Sequence, residues 1–268
     1  MNKKHKFLLP AMAFVVLLGL QVGAIKTFGQ VPGPVQRPAG QGPGQGPGGP
    51  GRGPALPPIP IAGDTTHSLA IHFTPATNVK KAPDAKGFIQ RWLVLEPVKK
   101  NIRTNSALTD SYLRTAFASD NFSQDYNTVP KNGQTVKVGD QDLKWYALDS
   151  KDFNFNLYHF SYATNKARAG VLFWLVTVIN CPEEIKNVRL AAGVNSGGAF
   201  WLNGKEALML PGDKDIIVDN VTSPLLTLKK GKNIIRTAVV NGQGMCNFCV
   251  RFLDEKGSPV KNFTISYE

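Results

Sequence analysis

Few residues of this chain could do chemistry, and their spacing narrows what that chemistry is. Cys246 and Cys249 form a Cys-x-x-Cys pair in MCNFCVRFL, and Cys181 is the third and last cysteine. Elsewhere such a pair is half a zinc site or a redox couple. Zinc wants four ligands, and His67, His72 and His159 lie far from the pair in sequence without metal spacing. A redox pair sits at a helix N-terminus, where the dipole lowers the thiol pKa. MCNFCVRFL reads instead as a strand, in which residues three apart point to opposite faces. The pattern predicts buried thiols, or a bridge from Cys181 to Cys246 or Cys249.

An acyl-transfer serine wants an exposed turn of the Gly-x-Ser-x-Gly kind; around Ser196, GVNSGG has its glycines at the wrong spacing. Asp213, Asp215 and Asp219 do not follow the D-x-D-x-D-G pattern of a calcium loop and read as a polar face and turn. The paired carboxylates of a glycosidase come from different strands, so spacing neither shows nor excludes them. No catalytic residue and no metal ligand is assigned. Aromatic chemistry remains. Trp145, Tyr146, Tyr158, His159 and Tyr162 supply rings that stack on sugars and polar tips that bond hydroxyls, and these five are the candidate ligand-binding residues. Trp145 and Tyr146 are neighbours in a strand and face opposite ways, so at most one is exposed. Trp92, Trp174 and Trp201 read as core.

Positioning those rings falls to strands. GVLFWLVTVIN, Gly170 to Asn180, is too apolar to have a wet face and should lie centrally. Further strands are expected at Leu143 to Leu148, Phe155 to Ala163, Val188 to Gly193, Ala199 to Leu202, Glu206 to Leu210, Asp215 to Val218, Leu225 to Leu228, Asn233 to Val240, Cys246 to Leu253 and Phe263 to Tyr267. One helix is expected, at Thr104 to Phe117, with Leu108, Tyr112, Leu113 and Phe117 on related faces. Asn203-Gly204 between two strand-favouring runs is the strongest short hairpin signal, because both central residues of a type I′ turn need positive φ. Many short strands parted by Gly-containing turns predict an all-β fold, an antiparallel β-sandwich or jelly roll with one short helix.

Three sections precede or make up this fold. MNKKHK followed by an uncharged apolar run to Ile25 has the layout of a secretory signal over residues 1–29, with cleavage after Ala24 or Gly29. Uncleaved, the run would be nearly long enough to anchor in a membrane, which needs about 20 apolar residues. Residues 30–60 are dominated by Gly and Pro and cannot bury a core, so they read as a disordered linker. Residues 61–268 carry the sandwich. Either reading of the leader places the domain in the periplasm, on the surface or outside the cell. The formal charge of +12 falls by four with the leader, and the remaining Lys and Arg are scattered. A basic stripe interleaved with aromatics, as nucleic-acid binding wants, is missing, so nucleic acid is not a predicted partner.

The order of signals brings a resemblance. FIQRWLVLEP, DLKWYAL, the FWLNGKEA hairpin, SPLLTLKKGKNIIRTAVVNGQG and a last strand ending LDEKGSPV together resemble the galactose-binding-like β-sandwich that accompanies secreted bacterial glycoside hydrolases and acetylxylan esterases. The likeness covers about Phe88 to Tyr267 and rests on turn residues Asn203, Gly204, Lys205, Lys230, Gly231 and Asn233. Asn195 and Ser196 stand where that family commonly has acids. The resemblance implies a non-catalytic recognition module with polysaccharide or glycan as leading partner. Its alternatives are a structural or protein-binding module with an envelope protein as partner, and an esterase- or hydrolase-associated protein with no visible nucleophile. It implies no cofactor and leaves room for a structural calcium ion with no ligands assigned.

Overall fold

The computed structural model describes residues 67–268; the expected leader and Gly/Pro linker lie outside the described residues. In chain order the strands are β1 (Phe73–Pro75), β2 (Arg91–Leu95), β3 (Val98–Lys99), β4 (Thr135–Val138), β5 (Gln141–Ser150), β6 (Phe155–Asn156), β7 (Val171–Cys181), β8 (Ile185–Val194), β9 (Gly197–Leu202), β10 (Lys205–Leu210), β11 (Val221–Thr222), β12 (Leu226–Leu228), β13 (Gly231–Asn241), β14 (Asn247–Leu253) and β15 (Thr264–Ser266). Two α-helices accompany them, α1 (Asp110–Ser119) and α2 (Leu157–Ala163). No helix among the described residues is long and apolar enough to cross a membrane.

The fold is an all-β sandwich of two antiparallel sheets. The larger runs β1-β5-β2-β7-β13-β9-β10 and the smaller β11-β8-β14-β6. Every residue of β7 is buried. Its β-branched and aromatic side chains alternate between two cores. Phe173, Leu175 and Ile179 enter the inter-sheet core with Leu190, Val194, Phe248 and Phe252 of the smaller sheet. Leu172, Trp174 and Val176 enter a second core on the outer face, under Leu113 and Phe117 of α1. Thus β7 has no wet face because a helix-and-loop layer covers the side that a plain sandwich leaves to solvent. One edge of β7 pairs with β13 along its whole length, Val171 opposite Asn241 to Cys181 opposite Gly231. Three short strands, β3, β2 and β15, share the other edge.

The expected helix begins later than its sequence pattern. Asn105–Ala107 is a 3-10 turn, and Thr109 caps α1 by accepting from the Tyr112 amide. Leu113, Ala116 and Phe117 then bury the i, i+3, i+4 face. Two expected strands are corrected. Only Phe155–Asn156 of the Phe155 to Ala163 run is strand, because the Asn156 side chain accepts from the His159 amide at 2.8 Å and starts α2. Leu157, Phe160 and Ser161 are its buried residues, so helical burial overrides the strand preference of the aromatics. Asp215 to Val218 forms no strand; Ile217 and Val218 are exposed there.

The Asn203-Gly204 turn forms as expected, with φ of 50° and 79°, and sets Leu202 opposite Lys205. It is tied to the neighbouring turn: Asn203 Nδ2 donates to Asn233 Oδ1 at 2.9 Å, and Asn233 Nδ2 donates to the Lys229 carbonyl at 2.7 Å. Cys181, Cys246 and Cys249 are free buried thiols.

Candidate functional site

Of the five candidate residues, β5 carries two, and helix α2 carries the other three, Tyr158, His159 and Tyr162. Its buried side packs Leu157 and Phe160 into the inter-sheet core, and Tyr158, His159 and Tyr162 are left half-buried. Arg168, in the loop that leads to β7, places its guanidinium 5.1 Å from the Tyr158 ring centre and 5.6 Å from that of Tyr162. Its Nη1 donates to the Tyr158 hydroxyl at 3.1 Å. The cation lies over electron-rich ring faces, the arrangement their quadrupoles favour.

Histidines from the start of the domain complete this surface. His67 stacks on Tyr162 with ring centres 4.3 Å apart, and its Nδ1 lies 2.8 Å from the Tyr162 carbonyl. His159 Nε2 lies 2.9 Å from the Ser68 carbonyl. A carbonyl only accepts, so each of those ring nitrogens carries a proton. His72 packs edge-on to His159 with centres 4.4 Å apart, and its Nδ1 is 3.6 Å from Asp152. One patch thus combines two tyrosine rings, a guanidinium and three imidazoles.

Tyr146 and Trp145 lie elsewhere, as their opposite facing requires. The Tyr146 ring meets Phe160 edge-on at 5.6 Å, beneath α2, and its hydroxyl donates to Glu96 at 3.3 Å. Burial, and then the negative charge of Glu96, push its pKa up. Lys166 answers the same carboxylate at 3.3 Å. Trp145 is fully buried in the outer core, 4.8 Å from the Phe122 ring, with no face open to a ligand. The structure therefore brings Tyr158, His159 and Tyr162 together and separates the other two. Sequence reading missed His67, His72 and Arg168 as members. Arg168 follows the two tyrosines closely and would have stood out had the segment been read as a helix; the histidines reach α2 only through the tertiary fold.

The cysteines, Ser196, Asp213 and Asp219 lie outside this patch and are buried or held in other contacts. Burial raises the pKa of all three thiols, that of Cys249 to about 11, so none supplies the thiolate that acts as nucleophile. The Ser196 hydroxyl is buried and donates to Asn241 Oδ1 at 2.9 Å. Asp213 accepts from Asn105 at 2.9 Å, and Asp219 pairs with Arg251. Among the described residues no three His, Cys, Asp or Glu side chains are grouped to hold a metal ion.

No protein-family model matches the chain, and no curated protein matches it. Solved structures with a distant likeness include the PA14 domain of the antifreeze protein MpAFP, at 12% identity and a TM-score of 0.41, covering 70% of this chain and 90% of that one. A PA14 sugar-binding domain from an RTX adhesin has 8% identity and a TM-score of 0.39, covering 65% and 96%. The A domain of Epithelial Adhesin 9 from Candida glabrata, in complex with Galβ1-4GlcNAc, has 10% identity and a TM-score of 0.29, covering 72% and 92%. Likenesses this distant assign no ligand to the chain.

Proposed function

We propose that the described domain is a non-catalytic recognition module of an exported protein and that it binds carbohydrate across the outer surface of α2. The observation that carries this reading is the placing of the Arg168 guanidinium beside the Tyr158 and Tyr162 rings, within one half-exposed patch with His67, His72 and His159. Ring faces complement the C–H faces of a pyranose, and guanidinium and imidazole N–H groups serve its hydroxyls. Hydrolysis through a covalent intermediate would need an activated nucleophile in reach of the patch. The buried thiols and bonded Ser196 do not supply one. Export rests on the leader, and kinship with galactose-binding-like sandwiches rests on the two turns joined through Asn203 and Asn233.

Affinity electrophoresis of the full chain through neutral plant and microbial polysaccharides tests the reading. At least one should retard it, and Tyr162→Ala with Arg168→Ala should weaken that retardation about tenfold, the scale of losing one stacked ring or one charged hydrogen bond. Unchanged thermal unfolding would exclude misfolding as the cause. Binding of none at millimolar affinity, or binding indifferent to both substitutions, refutes it.

A further inference from the structure

Where β7 ends and β13 begins, an open groove of about 720 Å³ is lined by Lys80, Lys232 and Lys261, with Asn180, Cys181 and Phe263 among the residues between them. Lys80 and Lys232 also line an adjoining cavity of about 180 Å³, with Glu268. Phe263 and Cys181 are buried side chains of the inter-sheet core, so the floor is apolar. Among the described residues the lysines that line the groove form no ion pair. Lys81 is the lysine of this region that pairs with an acid, Asp149, at 3.8 Å. Lys261 reaches the Ala85 carbonyl at 3.4 Å. Like charges gathered round a concavity with low-dielectric walls focus its field on an anion.

We propose that this groove is a second binding site and that its ligand is an acidic polysaccharide, whose uronate carboxylates pair with Lys80 and Lys232. A volume of this size suits one or two sugar units. A bilayer surface is flat and does not enter a concavity, and single-stranded nucleic acid wants exposed rings for its bases to stack on, whereas Phe263 is 3% exposed. The site is independent of α2. Arg168 precedes the first residue of β7 and the groove is at the last, so β7 separates them by on the order of 30 Å at about 3.3 Å per residue.

Affinity electrophoresis of the full chain through polygalacturonate, against dextran, reads the proposal. Lys80→Gln with Lys232→Gln should weaken retardation by polygalacturonate about tenfold, the scale of a charge-assisted hydrogen bond. Lys137→Gln with Lys205→Gln, both exposed and outside the groove, should leave it unchanged. Equal weakening by the Lys137 and Lys205 pair would mean diffuse basic charge and overturn the site. So would retardation that survives loss of Lys80 and Lys232, or tighter Lys80- and Lys232-dependent binding to phosphatidylglycerol vesicles or an oligothymidylate than to polygalacturonate.

Discussion

Arg236 carries a charge into the outer core and forms no ion pair among the described residues. Burial lowers its pKa to about 10, yet it remains a cation at neutral pH because the guanidinium is surrounded by groups that suit one. The rings of Phe122, Tyr126 and Trp174 lie 3.9, 4.2 and 4.3 Å from its centre. Its Nη1 donates to the Ser123 carbonyl at 3.0 Å and its Nη2 to Asn121. This one side chain pins the loop after α1 to the sheet. Arg236→Ala should cost about 3 kcal/mol in urea unfolding, since it opens a cavity and leaves buried acceptors unpaired. Arg236→Lys should rescue little, because a point charge cannot replace a plane that stacks and forks. Nothing in NIIRTAVV foretells this cage, whose walls come from distant parts of the chain, Phe122 and Tyr126 after α1 and Trp174 in β7. Cys249 gives a prediction about pH. Its pKa is raised from an ordinary 9.0 to about 11, by burial first. A raised pKa stabilises below the unfolded value and is lost as pH climbs through the folded one. Stability should therefore fall between pH 9 and 11, by on the order of 2 kcal/mol from this thiol. Cys249→Ala should flatten that fall when unfolding midpoints are compared across the range.

Among the elements, the β9–β10 hairpin shows how much a turn specifies. Gly204 has a positive φ, and a Cβ there would lie 2.9 Å from Asn127 Nδ2. Gly204→Ala should thus cost about 1–2 kcal/mol by denaturant titration, the left-handed penalty of an L-residue. Asn203→Ala should also destabilise, since it removes the bond to Asn233 Oδ1 and the acceptor of the Ile234 amide, each at 2.9 Å. This hairpin, β7 and the sandwich class were legible because each has a local cause: two positive φ values, or an unbroken apolar run. Helix α2 was not. Phe155, Tyr158, Phe160 and Tyr162 favour strands by composition, and only the Asn156 cap and the burial of Leu157, Phe160 and Ser161 decide for a helix. Reading it as a strand set His159 on the face opposite Tyr158 and Tyr162, which hid the patch that all three form with Arg168 on a helix. The same error left the histidine partners unseen, since they act on a helix that the pattern did not show.

At the scale of the molecule, α1 and its loop cover the outer face of the large sheet, so both faces of that sheet are spent on core. The two proposed sites lie away from those faces, Arg168 just before the first residue of β7 and the lysine groove at its last. The strands between them, β7 and β13, are shared by both cores and pair along eleven residues. Opening either one exposes apolar surface of both, so their amides should exchange only through global unfolding, whose free energy is on the order of 5–15 kcal/mol for such domains. Short peripheral strands have no such protection: β1 pairs over three residues and β11 over two. Native-state hydrogen exchange in rising sub-denaturing urea should show Leu172 to Ile179 and Ile235 to Val240 sharing one steep denaturant dependence. The amides of β1 and β11 should exchange earlier with a shallow one, as local fraying requires. If β7 exchanged ahead of the edges, or independently of β13, the two cores would be separable units, and the view that one central pair of strands joins them would fail. If the pattern holds, ligand at either end of β7 should slow exchange locally and leave the central strands governed by the global step.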